Sequence, residues 1–154
     1  MTRYSERLWP APWLLIASAL VIPASMLVLA PISMPAGIVT AILLYGGCVA
    51  LFLLGAPTIE VDDRMLRAGR ARVSLDLLGK PQVFTGEEAA LERGQRLDAR
   101  AWLLIRGSID PVVTVPLHDP ADPTPYWLIS TRRPRELAAA IEGSRRPAAA
   151  RESL

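Results

Sequence analysis

Residues 8–59 contain no Asp, Glu, Lys, Arg or His, and charged positions return only at Glu60. A stretch of that length cannot be an ordinary water-exposed fold, because exposed turns need polar groups. Two charge-free, predominantly apolar segments, residues 11–30 and 37–54, read as helices of about 30 Å and 27 Å, each long enough to cross the hydrocarbon of a bilayer. Residues 31–36, with Pro31 and Pro35 and no charge, make so short a link that the two spans must run antiparallel. Pro23 falls inside the first span and predicts a kink there, since it removes one backbone donor.

From residue 58 the pattern changes to short alternations. Residues 58–61 and 65–68 read as strands joined at Asp62-Asp63-Arg64, with Gly69-Arg70 turning the chain into a third strand over 71–75. A fourth strand is expected over 80–84. Thr85 with Glu88 three positions on has capping-box form and opens a helix to about Arg93. Residues 101–105 and 111–115 are rich in β-formers. A loop rigidified by Pro120, Pro123 and Pro125 leads to a strand over 126–130, with Trp127 and Ile129 on one face and Tyr126 and Leu128 on the other. Pro134 suits the first turn of a closing helix carrying an apolar stripe of Leu137, Ala140 and Ile141. Gly143 is expected to end it, leaving 144–154 as a disordered tail. The predicted fold class is a membrane α-helical hairpin followed by a small β-rich (α+β) domain, residues 58–143. Its order of about seven strands and a C-terminal helix suits a pleckstrin-homology-like partly closed barrel or bent sandwich.

Charge orients this arrangement. Only Arg3, Glu6 and Arg7 precede the apolar block, Arg64, Arg67, Arg70 and Arg72 follow it closely, and the connecting turn has none. The positive-inside rule puts both termini in the cytoplasm, with residues 1–10 as a cytoplasmic N-terminus and 31–36 as an extracytoplasmic turn. Trp9 and Trp13 fit an interfacial aromatic anchor. The rival, a cleaved signal peptide, is disfavoured because the apolar run exceeds the usual h-region and a second span follows. The net charge of +2 is too small to imply a nucleic-acid partner. Cys48 is the single cysteine, so no intramolecular disulfide or cysteine metal cluster is available. Neither span carries a charged residue, which argues against an ion or proton path through them.

Three segments carry a resemblance: Tyr4-Ser-Glu-Arg-Leu-Trp9, Leu66-Arg-Ala-Gly-Arg-Ala-Arg72, and the long run from Asp119 to Pro134. On these the chain resembles an uncharacterised actinobacterial family of two-span membrane proteins of unknown function. The resemblance implies a bacterial inner-membrane protein with a cytoplasmic β-rich domain, and brings no activity or cofactor with it. More loosely, the chain is similar to bacterial membrane proteins that pair a two-helix hairpin with a pleckstrin-homology-like domain.

Candidate chemistry is sparse. His118, Asp119 and Asp122 form the one cluster with acid–base potential, and a small membrane-bound hydrolase would use them. No second His or usable Cys completes a metal site, and both Asp residues precede proline, where Asp commonly starts a turn. No Gly-x-Ser-x-Gly turn or glycine-rich phosphate loop appears. Arg64, Arg67, Arg70 and Arg72 lie where an anionic leaflet attracts basic residues. Tyr126, Arg132 and Arg133 are residue types enriched at binding surfaces. Gly46, Gly47 and Ala50 offer a small-residue face for helix packing or for a larger membrane complex. The leading expectation is a non-enzymatic inner-membrane protein, without cofactor or metal, whose cytoplasmic domain binds lipid headgroups or a protein partner. The alternatives are an accessory subunit of a membrane complex and the hydrolase. The sequence leaves the oligomeric state open.

Overall fold

The structure is a computed structural model that describes residues 2–149, with side chains through residue 144. The chain forms two compact units, one joining the residues up to Leu8 with those from Pro57 onward, the other Trp9–Ala56.

The second unit is helical: α1 (Pro12–Ser18), α2 (Val21–Leu29) and α3 (Met34–Leu54). Pro12–Leu29 and Met34–Leu54 are each long and apolar enough to cross a membrane, and only 6% and 11% of their most apolar windows are buried. The break between α1 and α2 falls at Ala19–Leu20, four and three residues before Pro23. The proline ring excludes the carbonyl four residues back and offers no N–H, so the helix yields there. Tighter bonds fill the gap, Leu20 N–H donating to Ala17 C=O (3.1 Å) and Ile22 N–H to Ala19 C=O (3.0 Å). Helix α3 starts three residues before the expected 37, because Pro35 sits in its first turn, where no backbone donor is needed. Ser18 and Ser25 donate their hydroxyls to Leu15 C=O and Val21 C=O on their own helices.

The first unit holds eight strands among the described residues. Strands β1 (Tyr4–Arg7), β2 (Thr58–Val61), β3 (Met65–Ala68) and β4 (Ala71–Ser74) form an antiparallel sheet in chain order. Strands β5 (Gln82–Phe84), β6 (Trp102–Leu104), β7 (Val112–Pro116) and β8 (Tyr126–Ser130) form a second, in the order β5-β7-β8-β6, with β6 parallel to β8. Helix α4 (Gly86–Arg93) follows β5, and α5 (Pro134–Ala149) closes the fold. The N-terminal segment was expected to lie outside the domain; it is instead an edge strand, paired Tyr4 with Val61 through Arg7 with Thr58. Helix α5 likewise does not stop at Gly143 but continues to Ala149, since one glycine costs a helix only about 1 kcal/mol. Residues 150–154 of the expected tail lie outside the described residues.

Alternation explains both sheets. Tyr4, Ile59, Val61, Leu66, Ala68 and Val73 turn inward from the first sheet to meet Val113, Val115, Trp127 and Ile129 of the second, with Leu137 and Ile141 of α5 closing the core. The second sheet is covered on its other face too, where Val112 and Leu128 pack with Ala89 of α4. Double coverage is why burial runs unbroken over Val112–Val115 and Trp127–Ile129 instead of alternating. Thr85 takes the N-cap position of α4 but makes no side-chain cap bond. Asp110 replaces it, accepting Gly86 N–H at 2.7 Å and the Arg93 guanidinium at 3.1 Å.

Candidate functional site

The outward face of the first sheet gathers charged side chains from three adjacent strands. Period-two alternation turns Ser5, Glu60, Arg67 and Arg72 outward, and the strand register sets them in one row across β1, β2, β3 and β4. Arg67 stands directly opposite Arg72. Ala68 and Ala71 close a two-residue hairpin in which Gly69 takes φ +61° and Arg70 does not go positive, as a type II′ turn requires. The next pair outward is then the close, non-hydrogen-bonded kind, with Cβ atoms about 5 Å apart. Like charges so placed repel. Among the described residues neither guanidinium makes an ion pair, although Glu60 lies opposite Arg67. Two exposed guanidiniums at that spacing suit one phosphate or carboxylate group.

Arg70 and Arg64 sit at opposite ends of this face. Gly69 N–H donates to Thr58 C=O at 2.9 Å, so the Arg70 turn lies beside the start of β2 and Pro57. Arg64 belongs to the far turn, about 13 Å along the strands. Asp62 organises that turn by accepting Arg64 N–H (2.9 Å) and Met65 N–H (2.7 Å). Those two backbone donors hold its carboxyl below the usual aspartate range. The four arginines therefore divide, with Arg67, Arg70 and Arg72 forming a group and Arg64 apart.

Tyr126, Arg132 and Arg133 do not come together. Tyr126 opens β8, where its hydroxyl accepts Asp98 N–H at 2.9 Å. Arg132 and Arg133 follow the other end of that strand, about 20 Å away. There they join a buried network that sequence reading missed. Glu6, 7% exposed, points inward from β1. Its carboxylate accepts the Tyr4 hydroxyl (2.6 Å), the Thr131 hydroxyl and Arg132 N–H (3.0 Å). Arg133 donates to Ser5 C=O at 2.9 Å and lies 5.1 Å over the Tyr4 ring. Burial, and then the hydrogen bond to Glu6, push the Tyr4 hydroxyl above the usual tyrosine range. The network pins β1 to the start of α5. The sequence signal was Tyr4, Glu6 and Leu8 at a spacing of two, too short beside a long apolar run to stand out.

His118, Asp119 and Asp122 belong to the β7–β8 connection. Asp119 accepts Ala121 N–H and Asp122 accepts Thr124 N–H, both at 2.9 Å. The Thr124 hydroxyl, and then its N–H, hold Asp122 below the usual range. His118 N–H donates to Leu77 C=O at 2.7 Å, and its ring covers Gly79, where an added Cβ would meet His118 Cε1 at 2.9 Å and Pro116 Cβ at 2.8 Å. No group of three metal-ligating side chains gathers among the described residues.

Within the helical unit, Gly46, Gly47 and Ala50 are exposed, and Cβ atoms on the two glycines would meet open space. The close approach of α2 and α3 uses Gly37 and Ala41, both buried, with a Gly37 Cβ placed 3.3 Å from Met26 Sδ and 3.6 Å from Leu29 Cβ. The small residues that pack the hairpin thus lie nearer its turn than expected.

A second surface carries no charge. Outside the helical unit, the large apolar side chains exposed among the described residues are Trp102, Leu103 and Ile105, all on or just after edge strand β6. No curated protein and no solved structure matches the chain at significant similarity. One family profile, described as protein of unknown function DUF3093, matches residues 3–141 and so takes in β1, the apolar insert, both sheets and the first half of α5. The chain belongs to the DUF3093 family.

Proposed function

We propose that this protein is a non-enzymatic, two-span protein of the bacterial inner membrane, with both termini cytoplasmic, whose β-domain binds anionic lipid headgroups through Arg67, Arg70 and Arg72. The observation that carries the reading is the β1–β2 pairing across the apolar insert. Leu8 N–H donates to Pro57 C=O at 2.9 Å, so the insert leaves and returns at one point of the domain. An insert held at both ends crosses a bilayer an even number of times, as two antiparallel spans do. Its mostly unburied apolar side chains would be costly in water and are at home in lipid. Arginines on the domain side and none in the far turn support the cytoplasmic orientation. Two sheets closed by a C-terminal helix support a pleckstrin-homology-like plan, with β1 an addition to the expected seven strands.

Headgroup binding is favoured by the Arg67–Arg72 pair, which makes no ion pair among the described residues, and by Arg70, whose turn lies beside Pro57, three residues from the end of α3. The test is lipid binding to the purified full chain in detergent, followed by native mass spectrometry with phosphatidylglycerol and phosphatidylcholine. At about 1 kcal/mol per basic residue near an anionic surface, the Arg67→Glu/Arg72→Glu variant should lose on the order of thirtyfold in phosphatidylglycerol affinity. Equal affinity for the two lipids, or no loss in the variant, would remove the headgroup reading.

A second reading, an accessory subunit of a membrane complex, is favoured by the open space over Gly46 and Gly47. They lie near an apolar groove of about 320 Å³ whose lining includes Ile22, Tyr45 and Gly46. Gly46→Leu with Gly47→Leu should then abolish co-purification of a membrane partner from native membranes. Unchanged co-purification counts against it.

A further inference from the structure

We infer that edge strand β6 is a second membrane-contact element, seating Trp102, Leu103 and Ile105 in the interfacial layer of an anionic bilayer. This rests on the membrane reading above but assigns residues that the arginine face does not include.

Three observations converge on it. Trp102, Leu103 and Ile105 are 37%, 40% and 37% exposed, while the domain's other large apolar side chains are buried or partly so among the described residues. A soluble domain normally covers such an edge, because an open apolar strand invites aggregation. Second, the strand lies at the end of the domain from which the apolar insert departs. A Cβ on Gly69 would lie 3.5 Å from both Leu104 Cδ1 and Pro57 Cβ, so Leu104, Gly69 and Pro57 meet. Pro57 is three residues from Leu54, the last residue of α3, a reach of about 10 Å at most. Third, basic residues lie at the Leu104 end of the strand: Arg106 follows it and Arg70 occupies the turn that Leu104 adjoins, whereas Arg100 before it is paired with Asp98 at 3.2 Å. Arginine and tryptophan side by side match an anionic headgroup layer.

The geometry also sets a depth. Among the described residues strand β6 pairs only with β8, so its outer backbone groups need water, and unpaired backbone is not tolerated in hydrocarbon. Trp102 is held against the buried Trp127, ring centroids 5.8 Å apart, and presents a fixed amphipathic ring. Contact is therefore shallow, at headgroup level.

The test places a fluorescent label on the full chain in phosphatidylcholine–phosphatidylglycerol vesicles. Leu103→Cys and, should it fail to fold, Ile105→Cys are made in a Cys48→Ala background. Ala121→Cys in the β7–β8 loop is the aqueous control, and native Cys48, within α3, reports the anchor itself. At residue 103 the label should be quenched by lipids spin-labelled near the headgroup more than by those labelled deep in the chain, and it should resist aqueous iodide. The Ala121 site should show the reverse. A residue-103 label that iodide quenches as readily as the control, while the Cys48 label remains lipid-quenched, would overturn the inference yet leave the anchor intact. That result would also be expected if β6 pairs with a protein strand instead. A Cys48 label open to iodide would sink the membrane reading as well.

Discussion

The Tyr4–Glu6–Thr131 network shows how a single buried carboxylate ties the chain's beginning to its end. Tyr4 is buried and donates its hydroxyl to Glu6 Oε2; burial first, and then that hydrogen bond, push its ionisation upward. A phenol whose native pKa lies above its unfolded value of about 10 contributes stability that is complete below that pH. The contribution is lost as pH rises toward the native value, by up to about 1.4 kcal/mol per pH unit. Unfolding monitored by near-ultraviolet circular dichroism should therefore show stability falling above pH about 10. Tyr4→Phe should cost about 1–2 kcal/mol at neutral pH through the lost hydrogen bonds and should flatten the alkaline slope. An unchanged slope in the variant would assign the alkaline sensitivity elsewhere. None of this was legible in the sequence, where Glu6 is one charge beside two arginines; only the fold buries it.

Elements were easier to read than their partners. Strand β8 and the turn at Asp62 were placed by alternation and by turn chemistry, and the Leu137–Ile141 stripe by helical period, because these signals are local. Pairing was not local. That β6 runs parallel to β8, and that Asp110 rather than Thr85 caps α4, depend on segments that meet only after folding. The same holds within the apolar insert. Small residues at 46, 47 and 50 were as attractive by sequence as Gly37 and Ala41, yet only the latter are buried in the hairpin. Gly37→Val should separate α2 from α3, because Leu29 Cβ and the Ala30 backbone stand behind the flexible Met26. Gly47→Ala should leave them paired. Crosslinking efficiency between cysteines placed on α2 and α3 distinguishes the two, and equal efficiency would refute the assignment.

At the scale of the whole molecule, the helical unit is an insertion in a β-hairpin. Strands β1 and β2 are antiparallel neighbours whose near ends are already bonded at Leu8 and Pro57. Replacing Trp9–Ala56 by Asn-Gly, with Pro57→Val to supply the backbone N–H that closes the turn, should give a chain that folds without detergent, since that dipeptide supplies the turn such a pair requires. Dispersed amide resonances and cooperative unfolding would establish it; an unfolded product would show that the domain depends on its insert.

What the sequence by itself determined is what composition and short-range period encode: a charge-free block sufficient for two spans, a run of short strands, and a final amphipathic helix. Each signal lies within one element, where side-chain spacing maps directly onto backbone geometry. What only the tertiary structure decided is which distant segments share a surface. It drew the first residues into the sheet, set Arg67 against Arg72, split Tyr126 from Arg133, and left β6 as an open apolar edge. These are facts of register and topology, and they arise only when parts far apart in the chain compete to bury the same core.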